Sequence, residues 1–169
     1  MIRLMVTGTP APKGSRTLGR RRDGSAFTRP ASSGEHGWVE AVARAAQWRR
    51  AQALEVPEAG ELPAPPYAVE LLFLMPRPKR PTHGWPTRTD LDKLCRAVLD
   101  GLVRGGLLVD DRHVVELRAV KRWTAAPGGE GAQVTISAAE ARTPSSRGIA
   151  RGDAAQLVSG RSHAVGEQS

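Results

Sequence analysis

Seven apolar residues, Leu91, Leu94, Cys95, Val98, Leu99, Leu102 and Val103, recur at i, i+3, i+4, i+7, i+8, i+11 and i+12. That spacing gathers them on one stripe of an α-helix, and such a stripe is stable only when another layer covers it. Gly105-Gly106 ends the helix. The covering layer has to come from short segments of strand character. Ile2 to Val6 alternates and is stopped by Gly8, Pro10 and Pro12. Tyr67 to Met75 predicts a buried strand with Val69, Leu71 and Phe73 on one face. From His113 to Trp123, Val115, Leu117 and Ala119 alternate with Glu116 and Arg118. Pro127 to Gly131 then turns the chain into Gln133-Val134-Thr135-Ile136, which predicts a hairpin of these last two segments. A second helix is expected over 35–53, where Trp38, Val42, Ala45, Ala46 and Trp48 or Arg49 approximate helical spacing. The expected fold class is α+β: a small mixed β-sheet packed against two main helices.

A chain of 169 residues has room for one domain of ordinary size. The apolar pattern gives out near Ala139, so residues 1–139 are expected to form the domain and 140–169 a disordered C-terminal tail. One cysteine, Cys95, excludes an intrachain disulfide and a multi-cysteine zinc site. No apolar run approaches the roughly 20 residues of a membrane helix, and the first residues lack the apolar segment of a secretion signal. A soluble, cytoplasmic protein with no membrane partner is expected.

Charge narrows the partner. Lys and Arg number 25 against 17 acids, a formal net charge of +8, and only four of the bases are lysines. Guanidinium groups grip phosphate through two hydrogen bonds, so a polyanion is one reading; enrichment of Arg, Ala, Gly and Pro by a GC-rich coding sequence is the other. The bases concentrate in two regions. Lys13, Arg16, Arg20, Arg21, Arg22 and Arg29 share the turn-rich stretch from Gly8 to Gly34 with a single acid, Asp23, and that stretch is expected to be a mobile loop. Arg77, Lys79 and Arg80 occupy the Pro-rich stretch from Pro76 to Pro86, with Arg88 just beyond.

Four carboxylates interrupt this basic field. Asp90 and Asp92 open the long helix, and Asp110-Asp111 follow it. Residues two apart in a regular helix point about 200° away from each other, so Asp90 and Asp92 converge only if Asp90 is still non-helical. Thr89-Asp90-Leu91-Asp92 also fits a capping box, and Asp110-Asp111 a polar turn. If a short return brings the second pair back beside the helix, three or four carboxylates face one point. Their mutual repulsion would then call for a hard divalent cation, and oxygen-only ligands favour Mg²⁺ or Mn²⁺. Arg96, four residues after Asp92, is either an i,i+4 ion-pair partner or a cation for a scissile phosphate. Asp100 is expected to pair with Arg96 or Arg104, Cys95 to lie in the core, His113 to be an exposed residue at a strand start, and Trp38 and Trp48 to be core rather than base-stacking groups.

The run from Arg88 to Leu102 (RTDLDKLCRAVLDGL), the following Leu107 to Val114 (LLVDDRHV), the opening Gly8-Thr9-Pro10-Ala11-Pro12-Lys13 and the late Lys121 resemble the RusA family of Holliday junction resolvases. The likeness covers roughly residues 1–138. It implies a small α/β, dimeric, Mg²⁺-dependent endonuclease of phage or prophage type, acting in a bacterial host and nicking four-way DNA junctions in pairs, with Mn²⁺ able to substitute. By matched position it implies that Asp90, Asp92 and Asp111 bind the metal, with Asp110 as an auxiliary ligand. Arg96 stands where the family has a catalytically important lysine, Lys93 where it usually has asparagine, and Arg112-His113 where a Ser-Gln pair is commoner. The expected DNA contacts are Lys13, Arg16, Arg20, Arg21, Arg22, Arg77, Lys79, Arg80, Arg88, Lys93 and Lys121. Two other readings stand beside this one: a nuclease for flaps, forks or packaging intermediates, and a non-catalytic DNA-binding module whose acids are caps and turns.

Overall fold

The computed structural model describes residues 1–14, 16–30, 34–56 and 61–140. Its elements in chain order are β1 (Ile2–Thr7), β2 (Arg16–Arg20), β3 (Ala26–Pro30), α1 (Glu35–Glu55), β4 (Tyr67–Met75), α2 (Leu91–Arg104), a 3-10 turn (Asp111–His113), β5 (Val114–Trp123) and β6 (Gly131–Ala138). Four strands form a mixed sheet in the order β1-β6-β4-β5, in which β6 runs antiparallel to β1 and β4 while β4 and β5 are parallel. Parallel neighbours need a crossover, and α2 supplies it. The fold is α+β with two helices on one mixed sheet, as the periodicities predict.

One face of the sheet is the core. Ile2, Val6, Val69, Phe73, Val134 and Ile136 are buried on it, against Leu94, Val98 and Leu102 of α2 and Trp38, Val42 and Ala46 of α1. Cys95 is buried there, and loss of hydration pushes its thiol pKa up. The two helices approach closely because α2 turns glycines toward α1. A Cβ at Gly101 would stand 2.6 Å from Cβ of Val42 and 3.0 Å from the carbonyl oxygen of Val39, and one at Gly105 would overlap Ala46 and the Ala43 carbonyl. Trp38 is core as expected, whereas Trp48 lies on the outer face of α1 with 63% of its surface exposed.

Two further expectations fail. β5 and β6 do not pair with each other, because β4 lies between them. Burial explains the order. β4 is apolar almost throughout and suits an interior position, while β5 carries Glu116, Arg118, Lys121 and Arg122, charges that suit an edge. The stretch from Gly8 to Gly34 is also no simple loop, since β2 and β3 form an antiparallel hairpin within it. Its turn is held by Asp23, which accepts hydrogen bonds from the Ser25 amide (2.9 Å) and hydroxyl (2.7 Å), and Gly24 takes a φ of +84° there. Phe27 lies across Gly19, where a Cβ would meet the ring at 2.6 Å.

The Ala139 amide donates to the Pro66 carbonyl at 2.7 Å, just beyond β6. The tail expected over 140–169 lies, from residue 141 on, outside the described residues. A chain ending at Ala139 is expected to melt within about 3 °C of the full chain, no more than roughly 1 kcal/mol produces in a domain of this size; a differential scanning measurement on both checks it.

Candidate active site and nucleic-acid interface

The N-terminal end of α2 collects charge of both signs. The helix begins at Leu91 with Asp90 as its N-cap in extended backbone geometry (φ −65°, ψ 129°), which meets the condition for Asp90 and Asp92 to converge. The capping-box alternative is not realised, because the cap position is Asp90 and its side chain makes no capping hydrogen bond. That carboxylate instead pairs with Lys93 at 2.6 Å. The hydrogen bond and charge of Lys93 hold the Asp90 pKa below the usual carboxylate value, and Asp90 raises that of Lys93. Behind it the half-buried Lys121 reaches across from β5 to donate to the Thr89 carbonyl, fixing the chain just before the helix.

The segment ahead of the hairpin is anchored along α2. The Lys13 amide donates to the Lys93 carbonyl at 3.0 Å, and the Lys13 ammonium pairs with Asp100. Gly14, at φ +107°, lets the Arg96 side chain run alongside; a Cβ there would stand 3.0 Å from the guanidinium. Among the described ion pairs, Arg96 does not pair with Asp92. Asp100 pairs with Lys13 rather than with Arg96 or Arg104, and Arg104 pairs with Glu40.

The second acidic pair sits at the opposite end of the helix. Asp110 caps the 3-10 turn, accepting from the Arg112 amide at 2.9 Å and pairing with its guanidinium at 3.1 Å, and the amide bond is the main reason its pKa is lowered. Asp110 and Asp111 line a recess with Lys13, Asp100 and Arg104. Asp100 and Arg104 follow Asp92 by eight and twelve residues, which is about 12–18 Å along a helix rising 1.5 Å per residue. Ligands to one Mg²⁺ have to bring their oxygens to about 2.0–2.1 Å from it. Among the described residues, accordingly, no three His, Cys, Asp or Glu side chains are grouped to hold a metal ion. The two pairs do not converge within one chain. Leu107 and Leu108 are buried, and they hold the return from α2 at the helix's far end. His113 is half-buried rather than exposed, with its Nδ1 buried and without a hydrogen-bond partner.

The expected DNA contacts fall on both sides of α2. Arg20, Arg21 and Arg22 are exposed at the hairpin tip, with Arg21 5.6 Å from the Phe27 ring centre. Arg16 belongs to β2, and its side chain, like that of Arg29, lies outside the described residues. Arg77, Lys79, Arg80 and Arg88 are exposed on the loop leading to Asp90. That loop also holds groups the sequence reading passed over: Trp85 lies under the Arg122 guanidinium, and Trp123 donates its indole N–H to the His83 carbonyl. The available signal was a lone tryptophan beside glycine and proline in an otherwise basic stretch.

No helix among the described residues is long and apolar enough to cross a membrane. No curated protein matches the chain by sequence. Residues 8–137 match the family model described as Endodeoxyribonuclease RusA, a span that takes in the hairpin, both helices, the loop of Arg77 to Arg88 and both acidic pairs. The chain belongs to the RusA endodeoxyribonuclease family.

Proposed function

We propose that this protein is a divalent-cation-dependent endonuclease that cuts four-way DNA junctions as a two-fold homodimer, each site built from two chains. The observation that carries the reading is the separation of Asp90 and Asp92 from Asp110 and Asp111 by the length of α2. In a two-fold pair with antiparallel α2 helices, the N-terminal end of each helix meets the C-terminal end of the other. One operation then completes two equivalent sites, which suits two nicks on a nearly two-fold junction. Exposed apolar side chains flank the second acidic pair, Val109 at 72% and Val115 at 61% of their surfaces, on a stretch that leads into the free edge of β5. Apolar exposure of this kind on an unpaired edge favours cover by another chain.

Asp90 and Asp92 from one chain and Asp111 from the other, with Asp110 beside it, would hold Mg²⁺ or Mn²⁺, whose chemistry is Lewis-acid activation of water and of the scissile phosphate. The chain's own cations have separable tasks. Lys121 holds the backbone at Thr89, Arg96 offers charge to the phosphate, and the arginines of the hairpin and of the loop before Asp90 hold the arms through phosphates and shape rather than sequence. The reading as a binding module without catalysis requires the acids to be spent on caps. Asp110 is so used, but Asp90 is not.

Cleavage of labelled junction, fork, flap and linear duplex, each with and without Mg²⁺, tests the proposal. Paired nicks in the junction alone support it. Preference for forks or flaps supports the wider branched-DNA nuclease, and tight binding without any cut supports the binding module. A finer expectation concerns Arg96. Arg96→Lys is expected to stay within about tenfold of wild type, roughly 1.4 kcal/mol. Arg96→Ala is expected to fall by about 10²–10³, the usual cost of one well-placed stabilising group. Single-turnover cleavage of bound junction at saturating Mg²⁺ separates this loss from weaker binding.

A further inference from the structure

The loop from Pro76 to Thr89 does more than carry positive charge to the acidic end of α2. It closes over the ends of β4 and β5 to form a cleft of about 420 Å³, within the size range of small-ligand sites. Two tryptophans contribute aromatic wall, Trp123 from β5 and Trp85 from the loop, and Arg77, Arg80 and Arg88 line the same space with no carboxylate among them. The Trp123 indole N–H, 3.2 Å from the His83 carbonyl, ties the loop down. Arg122 stacks 4.2 Å from the centre of the Trp85 ring without itself lining the cleft, so the indole is held in place from outside. Even so, 55% of Trp85 is exposed. That exposed indole lies against the cleft, and three guanidinium groups around one space repel one another until an anion enters.

A flat apolar surface beside several phosphate-gripping groups fits one ligand chemistry closely: a nucleotide whose base is free to leave its stack. We infer that this cleft takes a single unpaired nucleotide of the DNA substrate, its base against Trp85 and its phosphates on Arg77, Arg80 and Arg88. The inference rests on the reading of branched DNA as substrate, since a branch point supplies bases without a full stacking partner and an intact duplex does not. The cleft wall at Arg88-Thr89 runs directly into Asp90, so a nucleotide held here sits next to the proposed cutting site.

The test titrates the full chain, in EDTA to prevent cutting, with the single-stranded octamer (dT)₈ and with a short duplex, following tryptophan fluorescence. Wild type is expected to bind (dT)₈ with quenching. Trp85→Ala is expected to lose about tenfold or more in (dT)₈ affinity, the worth of one base–aromatic stack, with duplex affinity unchanged. Trp85→Phe keeps an aromatic face and is expected to retain most of the affinity while losing the quenching, which assigns the signal to this residue. Unquenched (dT)₈ binding by wild type, equal (dT)₈ affinity in wild type and Trp85→Ala, or an equal loss on (dT)₈ and duplex each overturns the inference. Junction cleavage is scored separately. If (dT)₈ behaves as expected but no junction is cut, the nucleotide site stands and the resolvase reading falls; normal cutting with no effect of Trp85→Ala on (dT)₈ gives the reverse.

Discussion

Asp92→Asn is expected to lower junction cleavage by about 10³-fold or more, roughly 4 kcal/mol of barrier, while junction binding persists or tightens. The substitution keeps size and shape and removes one negative charge that, in the proposed complex, would face the DNA phosphates. Asp111→Asn is expected to behave alike although it lies at the far end of α2. The informative experiment combines them. In a mixed dimer of one Asp92→Asn chain and one Asp111→Asn chain, a site shared between chains leaves one position with both substitutions and the other with neither. Such a dimer is expected to nick one strand of the junction at a rate near that of a wild-type site. Were each site contained within a single chain, the mixed dimer would be as inactive as its parents. Differently tagged, co-expressed and doubly purified chains give the mixed dimer, and strand-specific labels read the nick. Wild-type cleavage by Asp92→Asn homodimers would remove this residue from the metal site altogether.

The second large effect is on stability. Gly101→Val is expected to cost about 3 kcal/mol, at the upper end of overpacking penalties and a large share of the 5–15 kcal/mol that holds a typical domain. The added atoms would have to displace Val42 and the Val39 carbonyl at once, and backbone yields less readily than a side-chain tip. Gly37→Ala is expected to act in the opposite direction. It lies in α1, where a Cβ meets nothing within 4 Å, so alanine should add roughly 0.5–1 kcal/mol through helix propensity. Urea unfolding of the two variants and the wild type, compared at constant m-value, reads both signs.

What could be read from the sequence was what depends on local period. The stripe of α2, the alternation of β1 and the apolar run of β4 each match the structure because burial on one face imposes its spacing on the chain. Pairing partners were not legible in the same way. Nothing local in Gln133 to Ile136 says that β6 inserts between β1 and β4 instead of folding back on β5; the charges of β5 keep it at the edge and leave the central places to β4 and β6. The hairpin of β2 and β3 was missed for another reason. Its Asp23-Gly24 turn signal was present, but arginines outnumbered the apolar residues that usually accompany such a turn. In the site, residue types were legible and distance was not. The spacing of the acids fits a helix with a return, but only the placement of Leu107 and Leu108 decides at which end of α2 that return stops.

The position of β6 governs the order in which the protein can assemble. Among the described strands β1 precedes all the others, yet it pairs only with β6, with Ile2 opposite Ile136, so β1 waits for a segment made more than 120 residues later. Until then β1 and β4 each present an open edge toward a gap between them, and the buried face of the sheet has no continuous floor beneath α1 and α2. Contacts this far apart in sequence close slowly, because chain entropy is lost before the pairing is gained. A nascent chain therefore carries both acidic pairs and most of its arginines before β6 can complete the sheet that holds them in place. The nuclease is a late event in the synthesis of its own chain, and any product interrupted before Gly131 lacks the strand that joins its two halves.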